Sequence, residues 1–239
     1  MTNRSRGGSH IIVGDGITAL AFLEQCVGRG YTEITLIGTT VSQFGRGAAY
    51  AKGEAGTPWR FAYLLNSPAD DIDPAFAKWL AERWSYVENT MANRSPDWLG
   101  AAQPLVASGD LYGVNAPREF YGDFMEEQGD AIVAALQAEG TRVIRIEDIA
   151  RSVDVLPNGL MVPTAGRKTV SAQSLDVATG GPSTMRIEGD DTAFTAPSVF
   201  GHEHKIAEHI QRGAEIFCIG GNAAMLDVLR LCKSLMPES

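Results

Sequence analysis

The chain is short of cysteine, of basic charge and of long apolar runs, and each shortage excludes a class of function. Its three cysteines, Cys26, Cys218 and Cys232, are far apart and lie in apolar segments. They match neither a disulfide framework nor a thiolate metal cluster, and they read as core thiols of a protein in the reducing cytoplasm. Lys and Arg number 20 against 29 Asp and Glu, a net charge of −9. An acidic chain with no basic stripe is a poor match for nucleic acid or an anionic membrane. No apolar run approaches the roughly 20 residues of a membrane span. Met1 to Gly8 contains Arg4 and Arg6 but no apolar h-region, so no secretory signal is expected. A small-molecule substrate is the class of partner left, and nothing in the composition names it.

Glycine, by contrast, is plentiful at 26 residues, and a hydrophobic share of 44% supports a sizeable core. His10-Ile11-Ile12-Val13 is a short apolar run and reads as a buried strand. Gly14-Asp15-Gly16-Ile17-Thr18-Ala19 follows at once. Ala19, Leu20, Phe22, Leu23, Cys26 and Val27 then recur at helical spacing, and Gly28 and Gly30 end the helix. Strand, glycine turn and helix together fit the dinucleotide fingerprint G-x-G-x-x-G/A. Gly14 permits the tight turn, Gly16 lets a diphosphate approach the backbone, and Ala19 sits where helix packs on strand. The N–H groups that open the helix, at Ile17 and Thr18, then face the phosphates. The plain alternative is a tight turn without a ligand.

Glu33 to Ile37 reads as a second parallel strand. An acid for the ribose hydroxyls normally stands at its end. Here Gly38 stands there, followed by Thr39 and Thr40. Either a hydroxyl or backbone group substitutes or the site is weakened, and in the second case Gly38→Glu should tighten binding. Phe44-Gly45-Arg46-Gly47-Ala48-Ala49-Tyr50 has the form of a loop laid against a ligand, or of a flexible turn. In Leu64-Leu65-Asn66-Ser67-Pro68-Ala69, Asn66 falls on a half-buried loop where its amide needs partners. Asp73 is a candidate N-cap with Pro74 at the first helical position, leading into Phe76-Ala77-Lys78-Trp79-Leu80.

These segments, in this order, resemble the bacterial FAD–NAD(P)-binding oxidoreductase family, similar in fold to flavin-dependent N-hydroxylating monooxygenases. The family pattern is a fingerprint, an F-G-x-G-x-A-Y loop, an L-L-N-x-P-A segment and an F-x-x-W-L helix. The resemblance implies FAD with its diphosphate at the first turn. It implies Gly45, Arg46, Gly47 and Asn66 toward the flavin ring, and NAD(P)H as a possible hydride donor.

Tyr86 to Gly113 is polar and carries Pro96, Gly100, Pro104 and Gly109, so an irregular loop or lid is expected over 86–116. Pro117 then opens a helix running to about Glu139, and Arg118 in it resembles the family's P-R-x-x-Y-G element. By chemistry alone Arg118 is either an anion contact or a surface cap. Thr141 to Ile146 alternates as a strand. Ile149–Val155, Gly159–Pro163 and Lys168–Ala172 read as an antiparallel meander, with a turn at Asn158-Gly159. Ser174 to Ala178 is a further strand, and its exit at Thr179-Gly180-Gly181-Pro182 resembles the family's A-T-G signature beside the flavin nucleotide. Arg186 to Ser198 has linker composition. His202, His204 and His209 have metal-like spacing, but no cysteine or carboxylate set completes them, and a solvated helix start is the better reading.

Ala214 to Ile219 reads as a strand and Gly220-Gly221-Asn222 as a turn into a helix bearing Asp227. This resembles the start of the family's NAD(P)H domain, with Asn222 in place of the second glycine. The expected architecture is α/β, a Rossmann-like parallel sheet flanked by helices with a small antiparallel meander. Residues 1–200 would form the FAD-binding domain, and 201–239 the start of a second, NAD(P)-binding-like βα unit. The expected function is an FAD-binding, NAD(P)H-dependent oxidoreductase, completed by a missing C-terminal part or a partner chain. The alternative is a non-catalytic nucleotide-binding module of the same fold. Asp70, Asp71 and Asp73 form an acidic cluster that a loop and helix cap also explain, and no side chain compels assignment as a catalytic acid or base.

Overall fold

The computed structural model describes residues 7–180, 194–221 and 223–236. Seven strands lie among them: β1 (Ser9–Val13), β2 (Glu33–Gly38), β3 (Arg142–Glu147), β4 (Asp154–Leu156), β5 (Gly159–Pro163), β6 (Thr169–Ala172) and β7 (Ser174–Val177). The helices are α1 (Ile17–Glu24), α2 (Ala69–Ile72), α3 (Pro74–Glu82), α4 (Trp84–Met91), α5 (Pro96–Ser108), α6 (Arg118–Ala138), α7 (Glu203–Gln211) and α8 (Ala223–Leu235). The chain divides into two compact units, 1–51 with 125–181 and 52–124 with 182–239.

The first unit is built on a four-stranded parallel sheet in the order β3-β2-β1-β7. A parallel strand covered on both faces needs an unbroken apolar run rather than alternation. β1 and β2 meet this: Ile11, Ile12, Ile34, Leu36 and Ile37 are fully buried. α1, with Ala19, Leu20 and Leu23 buried, lies against β1 and β7. The meander β4-β5-β6 is antiparallel, and its Val162 and Ala172 pack with Ile11, Val13 and Ile37 of the sheet. Its first strand is shorter than the sequence suggests: only Asp154–Leu156 pairs, with a single bridge upstream between Ala150 and Thr164. His10 is buried in β1, its Nδ1 2.7 Å from the Ser174 hydroxyl and its Nε2 3.1 Å from Asp176.

The second unit is helical. Asp73 caps α3 as the sequence predicts, its Oδ1 accepting from the Ala75 N–H at 2.8 Å with Pro74 in the first turn. Phe76, Trp79, Tyr121 and Phe124 form one aromatic cluster. Trp59, Val199, Ala207 and Leu231 form a second core.

The expected irregular lid over 86–116 is mostly helix, α4 and α5 followed by a short 3-10 turn at Leu111–Gly113. The residues read as loop breakers are helix punctuation. Pro96 stands in the first turn of α5 and Gly109 ends it in the left-handed conformation, at φ 78°. Pro104 is carried inside the helix. The expected strand at Ala214–Ile219 is not formed, because no described strand pairs with it. Phe217 is 84% and Ile219 98% exposed. Cys218 in the same segment is exposed, which corrects its reading as a core thiol; Cys26 is buried, and the burial pushes its thiol up to about 11. Among the described residues no helix is long and apolar enough to cross a membrane.

Candidate functional site

In the first unit the carboxyl ends of β1, β2 and β7 bring together Gly14–Ala19, Gly38–Thr40 and Thr179–Gly180. The Gly14 N–H donates to the Ile37 carbonyl at 2.8 Å, and the Ala178 N–H donates to the Val13 carbonyl at 2.7 Å. The loop after β2 folds back on the turn, with the Gly45 N–H donating to the Asp15 carbonyl at 2.8 Å.

The two fingerprint glycines do different work. Gly14 has φ 124°, and a methyl group there would sit 2.2 Å from the Ala178 carbonyl oxygen. Its missing side chain lets β7 leave the sheet beside the turn. Gly16 is extended, at φ −93° and ψ −170°. A methyl there would meet only the Gly47 backbone, with Cα at 3.4 Å. Among the described residues, no side chain other than those of the chain neighbours Asp15 and Ile17 comes within 4 Å of that methyl.

Gly16 is also the N-cap of α1, and no side chain caps that helix. Intrahelical bonding starts with the Leu20 N–H on the Gly16 carbonyl at 3.0 Å. The N–H groups of Ile17, Thr18 and Ala19 therefore have no acceptor within the helix. Thr18 is exposed and Ala19 fully buried, as close packing of α1 on the sheet requires.

At the end of β2, Thr39 and Thr40 are exposed. The Asp15 side chain reaches across from the turn, and its Oδ2 accepts from the Thr40 N–H at 2.6 Å and the Thr40 hydroxyl at 2.9 Å. A methyl group added at Gly38 would lie 2.7 Å from Asp15 Oδ2. Gly38 is thus no vacant place awaiting an acid, which overturns the expectation that Gly38→Glu tightens binding.

Arg46, expected to point toward a flavin ring, is 1% exposed. Its Nε donates to Glu126 at 2.7 Å and its Nη1 to the Tyr50 carbonyl at 3.0 Å. Its charge meets an internal carboxylate, leaving the backbone of Gly45–Gly47 to face the turn. Glu126 lies eighty residues further along the chain, and no motif announces it. Thr179 and Gly180 are exposed at the end of β7.

In the second unit Asn66 and Arg118 meet. The Arg118 guanidinium donates to the Leu64 carbonyl at 3.0 Å and stands 3.4 Å from Asn66 Oδ1. Its counter-ion is Asp227 at 3.0 Å, only 1% exposed. Burial raises the Asp227 pKa, and Arg118 and Arg230 pull it back down. The anion that Arg118 holds is therefore the chain's own carboxylate. Gly220 has φ 117°, and among the described residues beyond its chain neighbours nothing lies within 4 Å of a methyl placed there. Asn222, Gly181 and Pro182 lie outside the described residues, as does most of the 186–198 segment. His204 pairs with exposed Glu54 at 2.9 Å, and among the described residues no three potential ligands gather for a metal ion.

A glycine turn feeding an uncapped helix at the carboxyl end of a parallel sheet defines an α/β nucleotide-binding domain. The chain belongs to the FAD-NAD(P)-binding family, whose model matches residues 11–182. No curated protein matches it. Three solved structures illustrate its neighbours. One is OTEMO in complex with FAD and NADP (form 2), at 12% identity, 77% of this chain, 27% of that one and a TM-score of 0.39. A second is the Cu(II) complex of the HOCl-induced flavoprotein disulfide reductase RclA from Escherichia coli, at 13%, 77%, 24% and 0.31. The third is the tetracycline destructase Tet(55), at 13%, 75%, 40% and 0.34. The chain spans well under half the length of each.

Proposed function

We propose that the first unit binds FAD through its adenosine diphosphate half and that the chain is the FAD-binding portion of an NAD(P)H-dependent oxidoreductase. One observation carries the reading. Among the described residues beyond its chain neighbours, only the Gly47 backbone comes within 4 Å of a methyl placed at Gly16, and Gly16 directly precedes three helix N–H groups without intrahelical acceptors. A diphosphate needs such a place: close backbone approach, several N–H donors and the positive end of a helix. A methyl at Gly16 would occupy that cradle.

The flavin, when bound, supplies hydride acceptance and onward electron transfer. The chain's own residues bind and orient: the turn and α1 hold the diphosphate, and the Gly45–Gly47 backbone borders it. Arg46 keeps that loop in place through Glu126 rather than meeting the ligand.

A second reading, a nucleotide-binding module that does not itself engage a nicotinamide, draws support from the segment before α8. Ala214–Gly221 is exposed and unpaired, so no second strand–turn–helix unit is assembled among the described residues. Titration of the purified protein with FAD, ADP and FMN tests the common core of both readings. FAD and ADP should bind and FMN, lacking adenosine and the diphosphate, should bind far more weakly; equal binding of FMN, or none of FAD and ADP, refutes it. Bleaching of bound FAD by NAD(P)H separates the oxidoreductase from the module.

A further inference from the structure

We propose that Asp15 is the acceptor for the adenosine ribose hydroxyls, taking the place of the acid that the end of the second strand ordinarily supplies. The proposal rests on the reading of the first unit as a dinucleotide site. In such sites a carboxylate at the end of the second strand accepts from the ribose 2′-OH. Here that residue is Gly38, the last of β2, paired with Glu147 of β3.

The space beside Gly38 is already filled by a carboxylate. A methyl at Gly38 would lie 2.7 Å from Asp15 Oδ2 and 2.9 Å from both Cβ and Cγ of Asp15. The side chain that starts in the turn thus ends where the side chain of residue 38 would begin. It is fixed at both ends. Thr40 donates twice to Oδ2, and Gly45 donates to the Asp15 backbone carbonyl. With both Thr40 donors on Oδ2, Oδ1 takes no hydrogen bond from the described residues. An ionised carboxylate only accepts, so the group that suits Oδ1 is a donor. A ribose diol next to a diphosphate on the following turn offers that donor.

Two consequences follow. Gly38 is required as clearance for Asp15, so the acid and the glycine have exchanged places between turn and strand end. The site also discriminates at the 2′ position: a free hydroxyl is accepted, and a 2′-phosphate meets a like charge. FAD, NAD and ADP fit, and 2′-phosphorylated nucleotides do not. The rival account is that Asp15 only ties the turn to Thr40.

Calorimetric titration of the full chain separates the two, using ADP, 2′-deoxy-ADP and ADP carrying a 2′-phosphate. The wild type should bind ADP roughly tenfold or more tighter than either analogue, the difference expected for a charge-assisted bond. Asp15→Asn retains an oxygen for Thr40 and should keep the wild-type melting temperature. It should lose most of the discrimination against the 2′-phosphate. Asp15→Gly combined with Gly38→Asp clears the Asp15 Cβ from the strand end, returns the acid there and should regain preference for the 2′-hydroxyl, whereas Gly38→Asp alone should not fold normally. Wild-type discrimination retained in Asp15→Asn overturns the proposal while leaving the dinucleotide reading intact. Absence of ADP binding to the wild type overturns both. Should Asp15→Asn fail to fold, the wild type decides: rejection of the 2′-phosphate supports the proposal and its acceptance refutes it.

Discussion

Replacing Gly14 by Ala should cripple the fold, and replacing Gly16 by Ala, two residues away, should cripple only binding. At Gly14 the new methyl would stand 2.2 Å from the Ala178 carbonyl oxygen, more than 1 Å inside contact distance. The backbone there, at φ 124°, is one that an L-residue adopts only under strain of about 1–3 kcal/mol. Overpacking adds about 1–3 kcal/mol, because the clash is with main chain and no rotamer relieves it. β7 must move, and the 2.7 Å bond from the Ala178 N–H to Val13 moves with it. The sum, about 2–6 kcal/mol, is comparable with the whole stability of many domains. At Gly16 the backbone is extended at φ −93°, open to any residue. The methyl would rest 3.4 Å from Gly47 Cα, an ordinary contact. Lower unfolded-state entropy makes Gly→Ala there neutral or stabilising by up to about 1 kcal/mol. Yet the same methyl takes the space of a phosphate oxygen, and a tenfold or greater loss of FAD affinity is expected. Urea unfolding followed by circular dichroism, with flavin fluorescence for binding, reads both effects. A Gly14→Ala protein as stable as wild type, or a Gly16→Ala protein with undiminished FAD affinity, refutes the division of labour.

Glu126→Ala should destabilise the chain by about 3 kcal/mol, because it removes the carboxylate 2.7 Å from a guanidinium that is 1% exposed. A urea midpoint that barely moves would show that Arg46 is satisfied without it. His10 is held below its ordinary pKa of 6.5 by burial, and Asp176 opposes that shift without cancelling it. A depressed value means the folded state favours the neutral ring. The stability that His10 contributes is therefore present above pH 6.5 and lost as pH falls through the folded-state value. In His10→Gln the drop in unfolding midpoint between pH 7.5 and pH 5 should be smaller than in wild type; an equal or larger drop contradicts the assignment.

What the sequence exposes and what it hides follows from range. β1, β2 and β5 are legible because strands near a covered sheet show as short apolar runs ended by glycine or proline. The α3 cap is legible because Asp73 and Pro74 act on their immediate neighbours. α5 is hidden because its start at Pro96, its stop at Gly109 and its internal Pro104 copy the punctuation of a loop. Ala214–Ile219 misleads in the other direction: an apolar run becomes a strand only beside another strand. At the site, the turn and its helix are legible as a local motif. Pairings over distance are not: Asp15 with Thr40, Arg46 with Glu126 and Arg118 with Asp227 each join residues that sequence spacing leaves unrelated.

The central claim is that the diphosphate of an adenine nucleotide sits on the amides at the end of β1. Amide chemical shifts of the isotope-labelled protein, followed as ADP is added, test it most directly. The account predicts saturable shifts centred on Gly14, Asp15, Gly16, Ile17 and Thr18, with the amide of Gly220 unmoved. Saturation with those turn amides unchanged, or with shifts confined to other segments, would contradict it.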